Sequence, residues 1–143
     1  MFPIAFAVNA VGFEPENIAL ENLKKKKDEA WLTSIFLPFG ISGRGGLRKI
    51  YITRDPVSSS LLKHNIEHGV TFKKPQFFEL DRVVEVQTRT LKEGLTLANT
   101  GTIDYLKIDI EGAELEVFKI SSSLLKDGLA IKTEVSFVEF RKN

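Results

Sequence analysis

Asp109 and Glu111 are two carboxylates that follow an apolar run and precede a glycine and a helical pattern. Residues two apart on an extended backbone point to the same side, so both carboxylates should face one site. Ligands of open α/β sheets bind where a strand ends and a helix begins. A carboxylate there is suited to orient a cationic cofactor or to act as a general base. A structural pair with Lys107, or an acid that meets the dipole of the helix start, is the alternative interpretation, and the sequence does not decide among them.

Two further acids lie close to apolar runs. Glu14 comes directly after the first run and before Pro15. An ionised carboxylate at that place accepts hydrogen bonds from both hydroxyls of a ribose, but an acid that simply meets the dipole of a helix start has the same pattern. Glu134 lies among the apolar residues of the last predicted strand, where it either faces a substrate or alternates outward to solvent.

Three other patterns are interpreted as structural. His64 and His68 have the spacing of metal ligands on a helix, but no third ligand is evident, so no metal site is predicted. The glycine-rich segment 40–46 lacks the Lys and Ser/Thr of a phosphate-binding loop and is interpreted as a turn. Glu114 and Glu116 are assigned to the solvated first turn of a helix.

Strand and helix patterns alternate along the chain. The predicted strands are residues 5–13, 32–39, 48–53, 82–90, 103–110 and 129–140. The predicted helices are residues 15–27, 91–97 and 113–126, and residues 54–81 are expected to be irregular. Strands that alternate with helices indicate an α/β fold with a largely parallel sheet, in a single domain over residues 1–143.

The composition excludes several classes of protein. Hydrophobic residues make up 43% and charged residues 27% of the chain, which argues against disorder. The net charge of +1 gives no reason to expect nucleic acid or a membrane as the partner. The absence of cysteine excludes disulfides and thiolate metal sites and suits a cytoplasmic location. The apolar start has no basic segment and is too short to span a bilayer, so a soluble protein is expected.

Four stretches, in this order, resemble the FkbM family of S-adenosylmethionine-dependent methyltransferases. They are Phe13-Glu14-Pro15-Glu16-Asn17, Ser58-Ser59-Ser60-Leu61-Leu62-Lys63-His64-Asn65, the run from Ile103 to Val117, and Glu134-Val135-Ser136-Phe137-Val138. The third stretch contains the family's Leu-Lys-Ile-Asp core and is the most specific of the four. The resemblance spans nearly the whole chain.

The resemblance implies a Rossmann-like methyltransferase sheet that uses S-adenosylmethionine to methylate a hydroxyl of a sugar or another small molecule. It implies that Glu14 holds the ribose of the cofactor and that Ile41 and Ser42 lie near its adenine. It places Asp109 and Glu111 near the methionine end and the transferred methyl group as the catalytic residues, with Asp109 preferred.

The resemblance also places Glu134 nearer the acceptor, but the chain departs from the family pattern. The family has a glycine-rich loop after its first strand, whereas only a lone Gly12 precedes the first acid here. The strand that carries this loop and the family's last strands are expected to be missing. Lys92 stands where the family usually has aspartate, and Ile120 where it often has glycine. An inactive fragment, or a degenerate binding or interaction module, is therefore the alternative function.

Overall fold

The structure, a computed structural model, describes residues 4–26, 31–135 and 141–142. Its strands are β1 (Asn9–Phe13), β2 (Thr33–Leu37), β3 (Gly40–Ile41), β4 (Gly46–Thr53), β5 (Lys63–His64), β6 (Leu80–Arg89), β7 (Tyr105–Ile108), β8 (Ala130–Thr133) and β9 (Arg141–Lys142). Its α-helices are α1 (Asn17–Lys25), α2 (Ile66–Thr71), α3 (Leu91–Leu97) and α4 (Glu114–Leu125). None of these helices combines the length and the apolar character that crossing a membrane requires.

The three predicted helices are confirmed, and side-chain caps explain where two of them begin. Thr90 and Glu93 form a capping box at α3: the Thr90 hydroxyl accepts from the Glu93 amide at 3.3 Å, and the Glu93 carboxylate accepts from the Thr90 amide at 2.7 Å. Glu16 caps α1 by accepting from the amides of Ile18 and Ala19. These bonds favour the charged carboxylate and lower the pKa of Glu16.

Two predictions along the chain are wrong. Residues 5–13 are not one strand, because Ala5–Ala7 is a 3-10 turn and β1 begins only at Asn9. Residues 54–81 are not irregular throughout, since they contain β5 and the short helix α2. Helix α2 leaves Ile66 and Val70 exposed, so it has no buried apolar stripe that periodicity would reveal. The last predicted strand is observed as β8; residues 136–140 lie outside the described part of the chain.

The α/β class is confirmed, and the strand pairings are a mixture of parallel and antiparallel. β1 pairs with β2, β3 with β6 and β7 with β8 in parallel, whereas β4 with β6 and β5 with β9 are antiparallel. The longest ladder is the antiparallel one between β4 and β6, which runs from Gly46 opposite Thr88 to Thr53 opposite Leu80. Over the described residues the strands form four separate sheets. A largely parallel arrangement therefore holds for the strands that precede the site acids, but not for the longest pairing.

The apolar core joins β3, α3, β7 and α4. Its buried residues are Phe39, Ile41, Leu91, Leu95, Ile108 and Val117. Ile108 is the last residue of β7, so the core anchors this strand immediately before the carboxylates at its end. The position of the candidate site is thereby tied to the best-packed part of the molecule.

Candidate functional site

The register of β7 and β8 brings two predicted site residues together. Ile108 pairs with Thr133 in this parallel ladder. Both strands end at this pair, so the next residues, Asp109 and Glu134, leave the sheet side by side. Both are exposed. Two carboxylates therefore stand at the carboxyl edge of a parallel strand pair, which is where α/β folds bind ligands.

A turn after β7 brings Glu111 to the same place. Glu111 and Gly112 both have left-handed backbone conformations, with φ of 56° and 101°. One carboxylate oxygen each from Asp109, Glu111 and Glu134 lies within 4.8 Å of the others. The expected reason for this convergence, a two-residue spacing on an extended backbone, is wrong because β7 ends at Ile108. The turn, and not the strand, directs Glu111.

The three oxygens of this cluster have a spacing that a hard divalent cation would accept, since such cations prefer oxygen ligands. Exposed acids also cluster without any ion, so the geometry alone assigns no metal. His64 and His68 are not members of the cluster. His64 Nε2 donates to the Ser58 carbonyl at 2.6 Å, and burial lowers the pKa of its ring. The histidine thus has a structural partner.

Arg141 holds Glu111 in place. Its Nη2 donates to Glu111 Oε2 at 2.8 Å and to the Ser58 carbonyl at 3.1 Å. The Ser60 hydroxyl donates to the backbone carbonyl of Glu111 at 2.6 Å. The serine run predicted to be irregular therefore supports the candidate site. Sequence reasoning missed Arg141, because no motif connects it with an acid 30 residues earlier in the chain.

The surroundings of Glu111 change its affinity for protons. Burial raises its pKa, the Arg141 guanidinium opposes this rise, and the charges of Asp109 and Glu134 add to it. The net result is a pKa above the ordinary value for glutamate. Such a carboxyl accepts a proton more readily than an exposed one, which is a property of acid–base sites.

Glu114 and Glu116 lie in the first turn of α4, as predicted, but their carboxylates are engaged by hydrogen bonds and are not simply solvated. The two oxygens of Glu114 accept from the amides of Ile110 and Gly112, each at 2.8 Å. Glu116 Oε1 accepts from the Gly43 amide at 3.0 Å. Glu114 therefore stabilises the loop that carries Glu111. Glu116 connects the same helix to the turn at Gly43.

The left-handed backbone at Gly112 leads to a stability prediction. A Cβ at this residue would be strained at φ 101° and would lie 3.1 Å from Arg141 Cγ. We expect Gly112→Ala to lower the free energy of unfolding by about 1–3 kcal/mol in urea denaturation. Gly101→Ala is the matched control, because a Cβ there meets nothing within 4 Å. Equal stability of the two variants would contradict the expectation.

The residues predicted to bind the cofactor lie in two different environments. Glu14 follows β1, is partly buried, and accepts from the Glu16 amide at 2.9 Å through Oε1. The side chain of Ile41 belongs to the core. Ser42 is fully buried, and its hydroxyl lies 2.9 Å from Thr88 Oγ1. Neither Ile41 nor Ser42 presents its side chain to solvent, so their contact with adenine stays a prediction.

Two clefts on the described surface lie beside predicted site residues. The larger, of about 310 Å³, is lined by Arg89, Lys92, Glu93, Thr96 and Leu97. Since Arg89 pairs with Ile41, this cleft lies beside the segment predicted to be near adenine. The smaller, of about 160 Å³, is lined by Lys107, Ile108, Asp109, Lys132, Thr133 and Glu134. The carboxylates of the strand ends thus belong to a cleft.

Comparison with known proteins gives a family. Residues 4–143 match the methyltransferase FkbM domain, which is nearly the whole chain. No curated protein and no solved structure matches the chain. The match confirms the resemblance that rests on the four sequence stretches, and it includes the β7–α4 segment that carries Asp109 and Glu111. The protein is a member of the FkbM methyltransferase domain family.

Proposed function

We propose that this protein transfers a methyl group from S-adenosylmethionine to a hydroxyl of a sugar or another small molecule. The observation that carries the proposal is the convergence of Asp109, Glu111 and Glu134 at the carboxyl ends of β7 and β8. When bound, the cofactor would supply a methyl group on a positively charged sulfur; the methyl carbon would pass to the hydroxyl oxygen, and S-adenosylhomocysteine would be the leaving group. Alignment of the two reactants contributes much of the acceleration in such a reaction.

The three carboxylates take different parts in this proposal. Asp109 accepts the proton of the acceptor hydroxyl, because it is exposed and its ion pair with Lys107 Nζ is long, at 3.9 Å. Glu111 is fixed by Arg141 and orients the hydroxyl. Glu134 lies beside Asp109 and faces the acceptor. The negative charge of the cluster also favours a cationic sulfur nearby.

Glu14 is the residue that fits the ribose. Its Oε1 is engaged by the Glu16 amide, and no hydrogen bond from the described residues reaches its Oε2. A carboxylate oxygen with this freedom accepts from a hydroxyl. A Rossmann-like sheet and a cytoplasmic location are further parts of the proposal. The parallel pairings are consistent with the first, and the absence of cysteine is consistent with the second.

A catalytically inactive module that binds a ligand or partner is the second candidate function. One observation favours it: the Ser42 hydroxyl and the Ile41 side chain are buried, so the expected contacts with adenine are already used within the fold. A protein that has lost its cofactor pocket would retain the strand-end acids without methyl transfer. Cofactor affinity separates the two candidates.

Calorimetric titration of the full chain with S-adenosylhomocysteine tests the proposal. We expect micromolar binding, weakened about tenfold by Glu14→Ala, because a charge-assisted hydrogen bond to the ribose is lost. Glu21→Ala is the matched control, since Glu21 is an exposed acid on α1 that pairs with Lys24. A folded chain that binds no S-adenosylhomocysteine would establish the inactive module instead. Equal affinity of the two variants would remove Glu14 from the cofactor site.

A further inference from the structure

Two lysines project from one face of the β7–β8 pair, and two carboxylates follow just past its end. Lys107 and Lys132 are register partners, so their side chains project side by side from the same face. Asp109 lies two residues after Lys107, and Glu134 lies two residues after Lys132. All four line the same cleft of about 160 Å³. The cleft therefore has a row of ammonium groups next to a row of carboxylates.

This arrangement is unusual for parallel strands. Parallel pairs are generally covered on both faces and rich in apolar residues, and like charges placed opposite each other destabilise a sheet. Here the lysine face is open: the Lys107 side chain is 60% exposed, and Lys132 is also exposed. Among the described residues, no carboxylate oxygen comes within 4.0 Å of Lys132 Nζ. Lys107 Nζ lies 3.9 Å from Asp109 Oδ2 in a long ion pair, so Lys132 is the less compensated of the two cations and the more available to an anion.

We propose that the methyl acceptor carries an anionic group, a carboxylate or a phosphate, which Lys107 and Lys132 bind while an acceptor hydroxyl faces Asp109. This inference rests on the proposed function and specifies its substrate class. Lys107 Nζ lies 3.9 Å from Asp109 Oδ2, so the anionic group and the reacting hydroxyl would bind at adjacent positions in the cleft. The cleft of about 160 Å³ suits a single sugar unit, since pockets for larger ligands occupy about 300–1,000 Å³.

The same charges define what the cleft rejects. A second anionic group on the acceptor would lie near Asp109 and Glu134 and be repelled by them. A neutral sugar could accept hydrogen bonds from the two ammonium groups but would lack the attraction between opposite charges. The preferred acceptor is therefore a hydroxyl compound with one anionic end, such as a sugar acid or a sugar phosphate.

Binding of three monosaccharides tests this inference. Glucuronate, glucose 6-phosphate and neutral glucose would be titrated into the full chain in the presence of S-adenosylhomocysteine, with binding followed by calorimetry. We expect at least one of the two anions to bind about tenfold more tightly than glucose, because ammonium–anion hydrogen bonds are charge-assisted. The anion that binds more tightly shows whether the site prefers a carboxylate or a phosphate. Added salt should weaken this preference by screening the exposed charges.

Substitution of one lysine tests whether the anion binds in this cleft. Lys132→Met keeps the aliphatic stem and should abolish the preference for the anion, whereas Lys119→Met, which removes an exposed lysine of α4, should preserve it. Equal affinity for all three sugars, absence of binding included, would overturn the inference, as would equal effects of the two variants. The preference is measured independently of methyl transfer. An anion preference without affinity for S-adenosylhomocysteine would therefore overturn the proposed function and leave the anion site in place.

Discussion

Asp109→Asn is expected to lower kcat for methyl transfer by about 10²–10⁴-fold, which is the usual contribution of a positioned general base. The amide has nearly the same shape as the carboxylate but does not accept the hydroxyl proton, so KM should change much less than kcat. The measurement is transfer of labelled methyl from S-adenosylmethionine to a panel of sugar acids, sugar phosphates and neutral sugars. Asp81→Asn is the control, because Asp81 is an exposed acid on β6 that pairs with Arg82.

A wild-type kcat in Asp109→Asn would refute this role. If Glu111→Gln lost activity instead, the proton acceptor would be Glu111. The pH profile adds a distinguishing feature, because the pKa of Glu111 is raised, chiefly by burial. A mechanism that uses ionised Glu111 gains activity as the pH rises through this pKa, which is higher than that of an ordinary glutamate. Glu111→Gln would remove that step from the profile.

Leu91→Ala should have a large effect on stability, because it truncates a buried core side chain. Leu91 is 2% exposed and packs within the cluster that also contains Ile108 and Val117. Loss of a buried leucine side chain costs its transfer free energy and leaves a cavity. We expect the free energy of unfolding in urea to fall by about 2–5 kcal/mol.

Leu97→Ala is the matched control for this prediction. Leu97 is the last residue of the same helix and is 55% exposed, so its truncation should have an effect of about 0.5 kcal/mol or less. Similar losses for the two variants would show that the cluster around Leu91 is not the centre of the core. Because Ile108 anchors β7, Leu91→Ala should also loosen the site at the end of that strand.

The sequence predicts those parts of the fold that local chemistry determines. Helix α3 has its predicted bounds because the Thr90–Glu93 capping box defines where it begins. Helix α2 could not be predicted in the same way, since it is short and Val70 is 77% exposed. The pairing of β3 with β6 is also invisible locally, because Gly40 and Thr88 are far apart in the chain.

In the candidate site, too, the features that depend on local sequence were predictable and those that depend on distant residues were not. Asp109 and Glu134 were predicted on strands whose carboxyl ends share an edge, and the structure places both just past the ends of β7 and β8. The left-handed conformation of Glu111 is not evident from its side-chain type, although the following glycine hints at a turn. The hydrogen-bond partner of buried Ser42 is the Thr88 hydroxyl, which is 46 residues away in the chain. Arg141 reaches the site through a strand pair of only two residues, which leaves no pattern to recognise.

The contact between Arg141 and Ser58 also bears on how the site assembles during folding. These residues are 83 positions apart, so their contact closes most of the chain into one loop. Tyr105 and Ala130 lie much closer in sequence, and helix α4 connects them locally. Short loops close at a smaller entropic cost, so β7 and β8 should pair before Arg141 docks. Asp109 and Glu134 would then meet early in refolding, and Glu111 would acquire its fixed position last.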